Sequence, residues 1–369
     1  MTIKVWDYLE EYKDERDEIL SAVDRVFQSG TLILGDSVRN FESEFSDYCG
    51  AKYGIGVDNA TNAIFLALKS LNIGEGDEVI TVSNTAVPTV SAIVQAGATP
   101  RFIDIEASTG LMDVSLLKDT ITDKTRCIIP VHLFGQSVDM TNLLNITQKL
   151  GLQVIEDCSQ AHGASHFDKK VGSMGDMGVF SFYPTKTLGG YGDGGMITTN
   201  NSSLNDRLRS LRFYGMKGTY YAEETGYNSR LDEVHAEILR TKLKRLDGYI
   251  ERRCLLARRY NEFLSNSPLE LLEENTGNQN VYYVYVVKHP DRDNIIAKLK
   301  ERDIIVNISY PDPIHTMRGY AYLGGKEGDL PVTEKMAEQI FSLPIYPLFK
   351  EKDQDIVCES LSKILDFKI

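Results

Sequence analysis

An acid and a lysine, each at the end of an apolar run, are the residues of this chain best suited to do chemistry. Leu152 to Ile155 runs apolar into Glu156 and Asp157, and Met177 to Tyr183 runs apolar past Ser181 towards Lys186. Such runs read as strands, and an α/β sheet presents its chemistry at the carboxyl ends of its strands. A lysine held there can form a Schiff base with an aldehyde cofactor, while the acid pairs with a pyridinium nitrogen. A lone lysine is usually a solvated surface group. What raises Lys186 is its company: hydroxyls at Ser181 and Thr185, and the run Gly189-Gly190-Tyr191-Gly192-Asp193-Gly194-Gly195 behind it.

A cofactor that carries a phosphate needs an anion site, and one stretch offers it. Asp58-Asn59-Ala60-Thr61-Asn62 lies between an expected strand, Tyr53 to Val57, and an expected helix, Ala63 to Leu71. Small and polar residues at such a turn leave backbone N–H groups free, and the helix dipole favours an anion there. An ordinary helix cap is the plain alternative; the lysine downstream tips the reading towards phosphate.

The elements that position these residues follow from hydrophobic periodicity. Helices are expected over residues 7–29, 38–48, 88–96, 114–121 and 140–150, and strands over 78–82, 101–105 and 126–131. Helices at 204–214 and 231–246 come after the glycine run. Repeated strand-then-helix units imply a largely parallel sheet with helices on both faces. Beyond about Ile250 the pattern changes to a charged helix to about Leu264, strands at 281–288 and 304–308, and helices at 295–301 and around Ala337 and Ile356. The expected organisation is therefore a large α/β domain, residues 1–250, and a small α+β domain, residues 251–369.

Three other patterns lead elsewhere. Gly190-x-Gly192-x-x-Gly195 matches the dinucleotide fingerprint by letter, but a strand rather than a helix follows it. The glycines instead suggest a tight turn with backbone close to the lysine and cofactor. Asp157, Ser159 and His162 lie close in sequence, yet there is no GxSxG elbow to make a hydrolase. His132, His166 and His289 lack ligand spacing, so no metal is expected. The 369 residues carry 42% hydrophobic and 25% charged side chains, ordinary for a globular protein. A formal charge of -13 argues against nucleic acid or an anionic membrane as partner. Five scattered cysteines read as reduced thiols of a cytoplasmic protein. The charged N-terminus does not resemble a secretory leader, and no apolar stretch is long enough to span a bilayer.

Longer motifs carry a resemblance. Asp157-x-x-Gln160-Ala161-His162-Gly163, Ser181-Phe182-Tyr183-Pro184-Thr185-Lys186 and Gly192-Asp193-Gly194-Gly195 resemble the DegT/DnrJ/EryC1/StrS group of nucleotide-sugar aminotransferases. Asn228-Ser229-Arg230-Leu231-Asp232-Glu233, Tyr310-Pro311-x-Pro313-Ile314-His315 and Ser342-Leu343-Pro344-Ile345-Tyr346-Pro347 extend it over nearly the whole chain. The resemblance implies a fold-type I, aspartate-aminotransferase-like architecture and pyridoxal 5'-phosphate (PLP) as cofactor. By matching position, Lys186 would bind the cofactor and move the proton, Asp157 would pair with the ring nitrogen, and Gln160 would contact the ring hydroxyl. Ser181 and the backbone of Ala60 and Thr61 would hold the phosphate. Asn228 would reach it from the other subunit of a homodimer with shared active sites.

This chain departs from many relatives at two positions. Ala86 stands where an aromatic ring would stack on the cofactor, so the wall there is aliphatic. His235 stands where glutamine is common and has no assigned role. Tyr183, Tyr310 and His315 are the candidates for substrate contact, since their side chains can hydrogen-bond sugar or diphosphate oxygens. The implied reaction moves an amino group from glutamate to a dTDP-3-keto-6-deoxyhexose. A 4-keto sugar is the runner-up. Two rivals come from other classes: a PLP-dependent sugar dehydratase, against which Lys186 argues because such relatives lack the lysine, and a non-catalytic regulator on the same scaffold.

Overall fold

The computed structural model describes residues 2–218 and 220–368. Helix α1 (Tyr8–Ser29) starts where the Asp7 carboxylate accepts the Leu9 N–H, and ends at Gly30, whose φ of 70° suits glycine. Helix α2 (Asp36–Cys49) buries Val38, Phe41 and Phe45 and leads into β1 (Tyr53–Val57) and α3 (Ala60–Ser70). The alternation follows: β2 (Glu78–Val82), α4 (Val87–Gln95), β3 (Thr99–Ile103), α5 (Leu117–Thr120), β4 (Thr125–Ile128), α6 (Met140–Leu150) and β5 (Gln153–Asp157). A short hairpin, β6 (Ser165–His166) and β7 (Lys169–Lys170), precedes β8 (Met177–Ser181) and β9 (Gly195–Thr199). Then come α7 (Ser202–Leu211), α8 (Glu233–Leu243) and α9 (Leu246–Leu264).

The main sheet has seven strands in the order β1-β9-β8-β5-β4-β2-β3. The pairs β2–β3, β2–β4, β4–β5 and β5–β8 are parallel, as helical crossovers require. Strand β9 runs antiparallel to both β1 and β8, and its first residue, Gly195, pairs with Val57 on one side and Ser181 on the other. One residue of β9 thus sits between two strand ends. Helices cover both faces: α3 and α4 pack on one over Ile55, Ile155 and Val179, and α2 and α8 pack on the other over Phe180, Phe182 and Met196.

The C-terminal part comprises β10 (Glu270–Leu271), β11 (Asn278–Gln279), β12 (Tyr285–Lys288), α10 (Arg292–Lys300), α11 (Pro331–Gln339), β13 (Ile340–Leu343) and α12 (Glu351–Leu365). Strands β10, β12 and β13 form an antiparallel sheet, with Leu256, Tyr260, Phe341 and Leu361 in the core beneath it. Helix α9 joins the two parts without a break: Ile250 packs with Phe182 and Leu231, whereas Leu256 packs with the C-terminal core.

Several expected boundaries move for local reasons. Strand β4 stops at Ile128, two residues before Pro130, which has no N–H for a ladder. The expected strand from Val281 is confined to Tyr285–Lys288, because Tyr282 turns the chain with a φ of 48°. Residues 304–308 form isolated bridges, Ile304 to Ile3 and Asn307 to Ser342, rather than a strand. The expected helix over 114–121 is a 3-10 turn followed by the single turn of α5.

Candidate active site

Glu156 and Asp157 are neighbours with opposite tasks, because successive side chains of a strand point to opposite faces. Glu156 is fully buried and accepts the N–H groups of Gly172, Met174 and Gly175 at 2.8–2.9 Å, together with His132 Nε2 at 3.1 Å. It holds the loop ahead of β8. Cys158 lies close enough to His132 and Glu156 to suggest metal ligands, but His132 Nδ1 accepts the Val138 N–H and the carboxylate is already taken up. Asp157 faces a cavity of about 220 Å³. Its carboxylate accepts from Thr89 Oγ1 at 2.8 Å and from the Ser159 N–H at 3.1 Å, while Thr89 in turn pairs with Thr85 at 3.1 Å.

Lys186 lines the same cavity from the end of β8. The Lys186 N–H donates to the Tyr183 carbonyl at 2.9 Å, so the lysine rides a turn closed by backbone. Its Nζ lies 4.8 Å from the centre of the Tyr283 ring, within cation–π range. Gln160 is oriented from both ends: its Oε1 accepts the Phe134 N–H at 2.9 Å, and its Nε2 donates to the Tyr310 hydroxyl.

The third side is the first turn of α3. Asn59 caps it, its Oδ1 accepting the Asn62 N–H at 2.9 Å, so the helix begins three residues earlier than expected. The N–H groups of Ala60 and Thr61 lie in that first turn, where no intrahelical acceptor exists. Gly195 permits the approach, since a Cβ there would stand 2.6 Å from the Asn59 carbonyl carbon. Ser181 is beside it in the register. Ala86, Val131, Tyr183 and Asp193 complete the wall.

The structure therefore brings together Ala60, Thr61, Ala86, Asp157, Gln160, Ser181, Tyr183 and Lys186. It leaves three expected residues outside that cavity. Tyr310 adjoins it through Gln160. His315 is buried, with Nδ1 2.8 Å from Ser83 Oγ and Nε2 3.0 Å from Glu334, so both ring nitrogens are engaged inside the fold. Asn228 is exposed, although its neighbour Ser229 donates to Asp58 in the turn before α3.

The glycine run corrects another expectation. Gly190 and Gly192 make room for the His235 ring, which a Cβ at either position would meet at 2.9 and 2.6 Å, rather than for the lysine. His235 thus packs against the loop, and burial lowers its pKa. His162 is no catalytic base. It sits among Phe45, Phe180 and Phe182, its ring nitrogens have no partner, and burial, helped by the Lys186 charge, pushes it down to about 3. Sequence alone gives no site role to Thr89, Val131 or Asp193; the signal for Thr89 is a hydroxyl in the first turn of a helix that follows a strand end.

An acid, a lysine and a free helix N-terminus around one cavity define a site for a phosphorylated aldehyde cofactor. The chain belongs to the DegT/DnrJ/EryC1/StrS aminotransferase family, whose model matches residues 13–362. It is 52% identical, over 99% of each chain, to a dTDP-3-amino-3,4,6-trideoxy-alpha-D-glucose transaminase of Micromonospora megalomicea subsp. nigra. It is 42% identical, over 98% of each, to a pleiotropic regulatory protein of Geobacillus stearothermophilus. The crystal structure of S. venezuelae DesV superposes with a TM-score of 0.97 over all of both chains at 36% identity. The fold is that of a fold-type I transferase, and the protein is a PLP-dependent sugar aminotransferase. No helix among the described residues is long and apolar enough to cross a membrane.

Proposed function

We propose that this aminotransferase moves an amino group from glutamate to the C3 ketone of a dTDP-linked 3-keto-6-deoxyhexose, giving the dTDP-3-amino-3,6-dideoxyhexose. The observation that carries the choice of carbon is the 52% identity, across 99% of both chains, to a transaminase named for a 3-amino sugar. The Asp157, Lys186 and α3 arrangement supports catalysis rather than regulation alone.

When bound, PLP supplies an electron sink that makes the carbon carrying nitrogen acidic. Asp157, a carboxylate already held by Thr89 and Ser159, would accept a hydrogen bond from the protonated ring nitrogen and keep that proton in place. Gln160 offers a second Nε2 hydrogen to the ring hydroxyl, its oxygen being committed to Phe134. Ser181 and the N–H groups of Ala60 and Thr61 bind the phosphate at the positive end of the α3 dipole. Ala86 and Val131 bound the ring with aliphatic surface. The Lys186 amine, once free of the cofactor, would take the proton from the donor's amine-bearing carbon and return it to the cofactor carbon, and would do the reverse for the sugar.

Tyr183, half exposed at the cavity mouth, is the residue we assign to sugar contact. The engaged nitrogens of His315 leave it a supporting role. A homodimer is supported by exposed apolar side chains at Leu20, Phe27, Leu32 and Ile33, which a partner would cover. Asn228, exposed on one subunit, would then complete the phosphate site of the other. Five free thiols, four of them buried, agree with a cytoplasmic setting.

The test is to incubate the holoenzyme with glutamate and a panel of 3-keto and 4-keto dTDP-sugars and identify products by mass and NMR. A C3 amine is expected. A C4 amine would establish the 4-keto alternative, and failure of every amino acid to convert the cofactor spectrum to the pyridoxamine form would favour the regulator.

A further inference from the structure

A second cavity, of about 290 Å³, lies behind the first and is lined by Trp6, Thr185, Arg253, Tyr283, Asn307 and Tyr310, among others. Tyr283 is the partition. Its ring faces Lys186, its hydroxyl is 3.1 Å from Thr185 Oγ1, and its carbonyl accepts from Arg253 Nη1 at 3.1 Å. Tyr310, in the wall of the second cavity, accepts from Gln160 in the wall of the first.

Arg253 is only 4% exposed, and Glu11 is the carboxylate that acts on its charge, from beyond ion-pair distance. Nη1 is fixed by three carbonyls, of Tyr282, Tyr283 and Ile345, at 3.0–3.1 Å. Nε has no partner, and among the described residues no carboxylate pairs with the guanidinium. Burial lowers its pKa to about 10, so it stays cationic at neutral pH. A buried unpaired cation is costly, and binding carbonyls does not require one. The cavity wall holds no other charged side chain. With Nη1 taken up by carbonyls, the remainder of this guanidinium is the one cation of a small, otherwise neutral cavity and matches one carboxylate; a diphosphate brings more charge than it neutralises.

We propose that this cavity receives the side-chain carboxylate of a dicarboxylic amino donor, anchored by Arg253. The inference rests on the donor reading above. An α-carboxylate sits on the carbon that bears the reacting amine and stays on the Lys186 side of Tyr283. A side-chain carboxylate, carried further along the donor, can pass the partition. The site would thereby select glutamate over monocarboxylic amino acids, with Arg253 setting donor affinity.

Trp6, the chain's single tryptophan, lines the cavity and reports on it. The holoenzyme is titrated with glutarate and, separately, with dTDP, following tryptophan emission. Glutarate should give a saturable change and compete with glutamate in the spectral conversion; dTDP should leave the glutarate titration unmoved. Arg253→Met should weaken glutarate and raise the half-saturating glutamate concentration by about 10- to 100-fold, with conversion at saturation nearly unchanged. Arg253→Lys should restore part of the affinity, which a purely structural role would not predict. Glutamate half-saturation unchanged in Arg253→Met, or competition by dTDP for the glutarate site, would overturn the proposal. Should Arg253→Met fail to fold, the wild-type arm decides: glutarate that neither shifts Trp6 emission nor competes with glutamate refutes it. If no amino acid converts the wild-type cofactor, the donor reading itself fails, while the glutarate titration still reports on the cavity.

Discussion

The inner wall of the active site and the surface segment proposed to serve a partner's site as its outer wall are built on different principles. The inner wall, at the ends of β5 and β8, is buried and tied: Asp157 to Thr89 and Ser159, Gln160 to Phe134 and Tyr310. The described residues of the segment 213–230 are exposed or half-buried apart from Gly215 and Ser229. Tyr220 and Tyr221 are 99% and 72% exposed, Tyr214 carries a φ of 58°, and Asn228 faces outward. Groups that must meet a reacting atom at fixed distance belong on a rigid sheet edge. Groups that meet a large substrate, or a second subunit, can belong to surface loops.

The contrast can be broken by experiment, beginning with the largest effect. Lys186→Ala should abolish the visible absorbance of the lysine-bound cofactor and reduce turnover by at least about 10²- to 10⁴-fold, with thermal stability unchanged. A variant with wild-type turnover would remove the inner wall from the chemistry.

The next effect is on stability and tests how dry the inner wall is. His162 has a folded pKa of about 3, depressed chiefly by burial, against about 6.5 when unfolded. The unfolded state binds the extra proton, so stability falls as pH drops through this window, by about 1.4 kcal/mol per unit. Below about pH 3 the loss is complete. Denaturant titrations between pH 6.5 and 4.5 should show this slope, and His162→Phe should flatten it. An equal slope in both proteins would mean that the imidazole is not sealed from water.

The smallest effect concerns the outer wall. Asn228→Ala should weaken cofactor affinity by about 10-fold, the cost of one hydrogen bond to a charged group. Mixing Asn228→Ala with Lys186→Ala subunits should restore activity at limiting cofactor, because one site of the mixed dimer then has both residues. No recovery would place Asn228 in its own subunit's site and end the shared-wall reading.

Much of the inner wall was legible beforehand. An apolar run ending in Asp157 and another leading to Lys186 depend on neighbours within one strand and its turn. The Asn59 cap and the small residues after it are equally local. Other features were not legible, because their partners are remote in sequence. Ser83 meets His315 across 232 positions, and Thr89 reaches Asp157 across 68. Sequence alone therefore offers His315 as a substrate contact, although its nitrogens are spent inside the fold. Gly190 and Gly192 suggest clearance for the cofactor, whereas a Cβ at either would meet His235.

The sequence by itself determined the alternation of strands and helices, the order of the site's parts and the family, because periodicity and motif spacing are local properties. Only the tertiary structure decided which hydroxyl holds Asp157, which histidine is sealed among phenylalanines, and that no carboxylate among the described residues makes an ion pair with Arg253. Those outcomes depend on which face of an element is covered and by what, and that is set by packing between segments far apart in the chain.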